Sequence, residues 1–165
     1  MIKSVESAGG AKGSNGAATI ESVADILDRE LKTVIKDWLF LVERQPDLAC
    51  IPLSFDERTG HLPKLLHDVI ARLKLDVGVV APISAAAGHH GDLRYRQGYT
   101  VAMVVEESRL LQVTIFTTLH KNTKNLEFST LLPNVVTIAD EVDAQLKQQM
   151  LRFMAADAAK VAKGK

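Results

Sequence analysis

The stretch AAAGHHGDLRYRQGYT, from Ala85 to Thr100, places two histidines and two arginines among three glycines. His90 and Arg94 are four residues apart, so both side chains lie on one face of a helix. Gly91 is costly inside a helix, where glycine lowers stability by up to about 1 kcal/mol relative to alanine. We therefore expect the backbone of a neighbouring helix, that of the next helix in sequence, to pack against Gly91, and we expect this helix to end at Gly98.

The segment that follows is apolar on most sides. Thr100 is a typical helix N-cap, and Val101–Leu119 is largely apolar around a charged centre that includes Glu106 and Glu107. A helix that is apolar nearly all round usually occupies the centre of a bundle. A charge buried between two helices requires a partner, so we expect Arg94 to pair with Glu107 or Glu106.

Apolar residues recur at helical spacing on both sides of this region. They predict helices over approximately residues 20–45, 61–75, 82–97 and 101–119, and from about 126 almost to the C-terminus. No alternation of apolar and polar residues is long enough to predict a sheet. The sequence predicts an all-α fold of about five helices, in a bundle or a globin-like arrangement with a long C-terminal helix.

The ends and the connectors of the chain have a different composition. Residues 1–17 are rich in Gly, Ser, Ala and Asn, which predicts a flexible N-terminal tail before a single helical domain at residues 18–160. Proline and glycine between the first two helices predict an irregular connector. Cys50 lies in this connector with apolar neighbours, which favours a buried structural thiol.

The overall composition excludes several classes of function. Twenty basic residues balance twenty acidic ones, so no basic field attracts nucleic acid. No apolar run is long enough for membrane insertion, and the N-terminus has no apolar core of a secretory signal. These features predict a cytoplasmic protein without a nucleic-acid partner.

Motifs that would indicate catalysis or a cofactor are weak. Phosphate-binding loops, nucleophile elbows and zinc-protease helices are absent from the sequence, so we predict that the protein is not an enzyme. None of the five histidines forms a pair at the spacing of a helical metal site, and we predict no metal, with His90 the weak alternative ligand. We also predict no cofactor, with haem as the alternative. That alternative is weak, because only 5% of the residues are aromatic and a haem pocket needs several.

The last predicted helix carries a short heptad-like row of apolar residues. The row consists of Val135, Ile138, Val142, Leu146 and Phe153, and Gln149 interrupts it. Such a row is typical of a seam between paired helices, so we predict that Val135, Val142, Leu146 and Phe153 form a homodimer interface.

Four blocks of the chain occur in the order DWLFLVERQPDL (37–48), LPKLLHDVIARL (62–73), HGDLRYRQGY (90–99) and VVEESRLLQ (104–112). In this order the blocks resemble the RsbRD-type N-terminal domain, which is the input module of stressosome co-antagonist proteins and of some bacterial sensor histidine kinases. The resemblance covers approximately residues 25–150. The family pattern, H-G-x-x-R-x-x-x-G-aromatic and a later glutamate, falls on His90, Gly91, Arg94, Gly98, Tyr99 and Glu107. Gln112 stands where the family often has a second arginine.

This resemblance implies a bacterial signal-transduction input domain with no enzymatic activity of its own. Such a domain would form a homodimer and pass a signal through its C-terminal helix to a kinase or a stressosome output partner. The matched polar residues would form the signalling and packing junction. The alternative from another functional class is a globin-like domain that binds haem or a small ligand.

Overall fold

The computed structural model describes residues 19–76 and 79–163, which fold into α-helices joined by short connections. The helices are α1 (Val23–Arg29), α2 (Leu31–Glu43), α3 (Pro46–Ala49), α4 (Phe55–Thr59), α5 (Leu62–Leu73), α6 (Ala85–Arg96), α7 (Val101–Lys121) and α8 (Phe128–Lys163). No β-strand occurs in the two described ranges, so the all-α prediction with a long C-terminal helix is confirmed. The tail predicted at residues 1–17 lies outside these ranges.

The first predicted helix is in fact two helices. The chain turns at Glu30, whose backbone angles (φ −90°, ψ 5°) leave the helical region. No proline or glycine marks this turn, and the helical spacing of apolar residues continues across it. Helix α1 packs mainly against α5 and α7, whereas α2 packs mainly against α7. The prediction of one continuous helix is wrong because contacts with different neighbours, rather than local propensity, decide where α1 ends.

The connector predicted to be irregular contains two short helices. Pro46 occupies the first turn of α3, where its missing N–H leaves no hydrogen bond unmade. A capping box begins α4, because the Ser54 hydroxyl accepts from the Glu57 N–H and the Glu57 carboxylate accepts from the Ser54 N–H. Helix α4 in turn brings Arg58 into the protein interior.

The single cysteine is exposed, so the prediction of a buried thiol is wrong. Cys50 directly follows α3, a four-residue helix in which Leu48 is the buried residue. Its Sγ lies 3.0 Å from the carbonyl oxygen of Asp47, to which it donates a weak hydrogen bond. One helical turn directs few side chains inward, so apolar neighbours in sequence do not ensure burial.

Helices α5, α6 and α7 lie close to their predicted positions. Pro63 falls in the first turn of α5, as its missing N–H requires. The hydroxyls of Ser84 and Thr100 accept hydrogen bonds from first-turn N–H groups and cap α6 and α7. Helix α7 packs against α1, α2 and α8, which agrees with its predicted central position.

Helix α8 is much longer than the others. It continues through Pro133, which lies in its second turn and therefore removes one main-chain hydrogen bond without ending the helix. In none of the described helices, α8 included, are length and apolar content together sufficient to cross a membrane.

Helices α6 and α8 form the most extensive helix–helix contact of the described chain. A Cβ atom added at Gly91 would overlap the backbone of Gln149 in α8. The expectation that a neighbouring backbone packs against Gly91 is therefore confirmed. The expected neighbour, α7, is wrong, because α8 returns along α6 from a distant part of the chain.

The predicted dimer seam faces largely into the protomer. Val142 and Phe153 are buried in the hydrophobic core of the chain itself, and Leu146 packs partly buried against that core. Val135 is half-buried. The prediction that Val142 and Phe153 contact a second copy is therefore wrong, because helices of the same chain already cover the apolar row of α8.

Two matched substitutions in α6 test this close packing. Gly91→Ala should lower the free energy of unfolding by at least about 2 kcal/mol, because the new methyl group overlaps the α8 backbone. Gly88→Ala places its methyl group 3.4 Å from a flexible Arg152 methylene, so it should be neutral or stabilising by up to about 1 kcal/mol. Urea unfolding of both variants measures the difference. Equal stabilities would show that α6 does not depend on direct backbone contact with α8.

Candidate functional site

The site centres on Arg94, whose side chain is fully buried between α4, α6 and α7. Its Nε donates to Glu107 Oε2 at 2.8 Å, and its Nη2 donates to the carbonyl oxygen of Arg58 at 2.9 Å. Its Nη1 donates to Gln97 Oε1 at 2.7 Å and to the carbonyl oxygen of Glu57 at 3.1 Å. The two main-chain acceptors belong to the last turn of α4. One guanidinium therefore joins three helices.

Glu107 holds the other side of this junction. Its Oε1 accepts a hydrogen bond of 2.8 Å from the Tyr99 hydroxyl, and that hydroxyl accepts one of 3.1 Å from Arg58 Nη1. The backbone carbonyl of the same glutamate accepts from Trp38 Nε1 at 3.1 Å. Burial raises the pKa of the Tyr99 hydroxyl, and the nearby Glu107 charge raises it further, so this hydroxyl remains a donor.

Gly98 directs Tyr99 toward this junction. The Tyr99 N–H bonds to the Arg94 carbonyl and the Gly98 N–H to the Tyr95 carbonyl, the two hydrogen bonds of a Schellman motif. Gly98 has a φ of +82°, which side-chain-bearing residues rarely adopt, so the predicted helix stop at this glycine is confirmed. The reversal places the Tyr99 ring 4.7 Å from the Arg94 guanidinium carbon.

Two histidines stack beside the ion pair. The rings of His61 and His90 are nearly parallel, with centroids 3.7 Å apart, and Trp38 meets the His61 ring edge-on at 6.1 Å. His90 Nε2 lies 3.5 Å from Glu107 Oε2. The Nδ1 atoms of both histidines are buried and have no hydrogen-bond partner among the described residues, which is uncommon for interior polar atoms.

The surroundings of the stacked pair oppose its protonation. Burial is the main cause that lowers the pKa of His61 well below its usual range, and His90 and Arg94 lower it further, while Glu107 acts in the opposite direction. Burial likewise lowers the pKa of His90, followed by the charges of Arg94 and His89. Both imidazoles are therefore neutral near pH 7.

An open cleft of about 710 Å³ lies between α4, α5 and α6, on the outer side of this junction. His61 lines both this cleft and a small inner cavity of about 10 Å³ that also borders His90 and Glu107. Glu57 and Gln97 line the cleft as well, and both accept hydrogen bonds from Arg94. Three residues that line the cleft therefore also contact residues of the buried junction.

His61, His90 and Glu107 present potential metal-ligand atoms within 4.8 Å of one another. As oriented, they do not fit a shared ion. When two imidazoles bind one tetrahedral metal with metal–nitrogen bonds near 2.0–2.1 Å, their ring centroids lie about 5 Å apart. The planes of both rings also pass through the metal, so the rings cannot lie parallel and face to face. The two rings instead stack face to face. Arg94 also occupies the Glu107 oxygen that lies nearest His90.

The geometry around His90 does not fit a haem either. A haem needs an apolar pocket that accommodates the whole macrocycle above an axial ligand. The cavity beside His90 has about the volume of one water molecule, and the face of the imidazole packs on His61.

The structure brings together all six residues predicted for the junction: His90, Gly91, Arg94, Gly98, Tyr99 and Glu107. Glu107, rather than Glu106, pairs with Arg94, whereas Glu106 forms a solvated ion pair with Arg109. Arg58 and His61 were not predicted as members of the junction. The capping sequence Ser54–Glu57 is a local signal for α4, but the approach of α4 to α6 has no signature in sequence spacing.

Arg94 should contribute strongly to stability because it is an ion-pair partner that water does not reach. Arg94→Ala leaves Glu107 buried without its cation, and we expect a loss of about 3–5 kcal/mol in the free energy of unfolding. Arg109→Ala removes an exposed ion pair from α7 and should cost at most about 1 kcal/mol. Chemical denaturation of the two variants provides the comparison, and similar losses would contradict a buried ion pair.

Stability should also fall in mild acid. Both buried histidines have lowered pKa values in the folded chain, so the unfolded chain binds more protons once the pH drops below about 6.5. Stability is therefore full above that pH and declines below it, by up to about 1.4 kcal/mol per pH unit for each histidine. Urea unfolding at several pH values, followed by the fluorescence of Trp38, measures this slope.

Two histidine variants assign that slope to the stacked pair. His61→Gln should reduce the dependence of the unfolding free energy on pH between about 5 and 6.5, because one of the two buried imidazoles is gone. His67→Gln changes an exposed histidine of α5 and should leave the slope intact. The same slope in both variants would show that the pair does not govern the acid response.

Comparison of this chain with protein-family models, with curated proteins and with solved structures found no match.

Proposed function

We propose that this chain is a non-enzymatic, cytoplasmic signal-transduction input domain that acts as a homodimer and transmits its signal through α8. The observation that supports this proposal best is the position of α6. This helix carries Arg94, the centre of the buried polar junction, and it presses Gly91 directly against the backbone of Gln149 in α8. The resemblance of the sequence blocks to RsbRD-type input domains supports the same function.

The proposed mechanism is a shift between two packings of the junction. Arg94 holds α6 to α4 and α7 through directional hydrogen bonds, so a change in its partners repositions the helix as a unit. No side chain separates α6 from α8 at Gly91, and a displacement of α6 therefore moves α8. A signal shifts the population toward one packing by the difference in its affinity for the two states.

The output of the domain lies on the outer face of α8. Leu151, Met154 and Val161 are exposed there, at spacings typical of a helix-pairing seam, while the residues first predicted for the seam face inward. We propose that this outer row pairs two copies. A kinase or a stressosome output protein would then read the arrangement of the paired α8 helices, as the resemblance implies.

Light scattering combined with size-exclusion chromatography tests the dimer interface. Met154→Glu places a charge in the middle of the exposed row and should raise the dimer dissociation constant at least tenfold, which is about 1.4 kcal/mol. Ala159→Glu adds the same charge to an exposed position of α8 outside the row and should have little effect. A monomeric parent chain, or equal effects of the two variants, would contradict pairing through this row.

The same measurement tests transmission from the junction. Arg94→Lys keeps the charge but loses the guanidinium geometry, and it should change the dimer dissociation constant although Arg94 is fully buried. Arg109→Lys, an exposed change in α7, is the control. An unchanged dissociation constant in a folded Arg94→Lys chain would argue against coupling between the junction and α8.

A further inference from the structure

We infer that two copies of this chain pair through the outer face of α8 in antiparallel orientation, about a two-fold axis near Ala144. This inference rests on the proposed function, because it states how the proposed α8 interface is assembled. The interface proposed above uses one end of the helix, the C-terminal row of Leu151, Met154 and Val161. The other end of α8 is also apolar on its outer side, and the charges between the two ends determine the direction of the partner helix.

A second apolar row lies near the start of α8. Phe128, Leu132 and Val136 are 84%, 72% and 62% exposed, and their four-residue spacing places them along one side of the helix. We call these three residues the N-terminal row. Single exposed apolar residues are common on protein surfaces, whereas a contiguous row of large ones marks an interaction site. The N-terminal row and the C-terminal row lie at similar distances before and after Ala144.

The two rows belong to one continuous face of α8. From Phe128 to Val161, exposed residues follow one another in steps of three or four, which is the spacing of a single helical face. Asp140, Asp143 and Lys147 occupy the middle of this face. None of these three forms an ion pair within the described parts of the chain. The face is therefore apolar at both ends and carries charges of both signs, without partners in the described chain, at its centre.

The central charges distinguish the two possible directions of pairing. In a parallel pair in register, each residue faces its own copy, so Asp140 and Asp143 meet carboxylates and Lys147 meets an ammonium group. Antiparallel pairing about an axis near Ala144 instead brings Asp140 and Asp143 of each copy to Lys147 of the other. The same arrangement places the N-terminal row of each copy on the C-terminal row of the other. Only the antiparallel pair is complementary in both charge and apolar surface.

Distances between spin labels measure the direction of pairing. The variant Cys50→Ser, Ala162→Cys carries one label in each copy, at an exposed position of the last turn of α8. Antiparallel pairing separates the two labels by about 55 Å, given a rise of about 1.5 Å per helical residue. Parallel pairing keeps them within about 30 Å, since packed helices lie about 8–10 Å apart. A short distance in a dimer would overturn the inference and leave the proposed function standing, whereas a monomeric chain would contradict both.

Exchange of the central charges tests the complementarity itself. Lys147→Asp leaves three carboxylates in the middle of the face and should raise the dimer dissociation constant roughly tenfold or more. The triple variant Asp140→Lys, Asp143→Lys, Lys147→Asp reverses all three charges and should pair nearly as tightly as the parent chain. Lys160→Asp makes the same change at an exposed position of α8 outside the face and should have little effect. Equal weakening by the two single variants, or no recovery in the triple variant, would overturn the inference.

Discussion

A guanidinium without access to water must find an acceptor for nearly every N–H group it carries, and this requirement organises the fold around Arg94. Its acceptors come from a side chain of α7, from its own helix and from the last carbonyl oxygens of α4. Those carbonyls have no helical partner of their own, because four remain unpaired at every helix end. The arginine thus satisfies the end of α4 and the charge of Glu107 with one side chain.

The sequence features that predicted this arrangement were local. Spacing along α6 placed His90 and Arg94 on one face, and the charged centre of the following helix supplied Glu107 as a partner at short chain separation. Gly98 predicted the helix stop because only glycine readily adopts the positive φ it has in the structure. In each case the determining contact joins residues of α6, of α7 or of the short turn between them, where chain connectivity limits the possible partners.

Features that depend on distant parts of the chain could not be predicted in the same way. Helical periodicity shows which face of a helix is buried but not which helix covers it. The apolar row of α8 was therefore compatible with a partner copy or with the same chain, and the structure places Val142 and Phe153 in the chain's own core. The same reason explains why His61 was not assigned to the site. Its partner His90 lies in the next helix, α6, but the periodicity of the two helices does not show which of their side chains stack.

The two glycines of α6 also determine how this region of the protein opens. A segment with Gly88 and Gly91 has little tendency to remain helical on its own, so its order depends on the contact with α8 and on Arg94. Local opening of α6 should therefore require less free energy than unfolding of the core formed by the other helices. In such an opening the imidazole of His90 reaches water while most of the fold persists, and the rate at which it exchanges protons with solvent depends on how often this single helix opens.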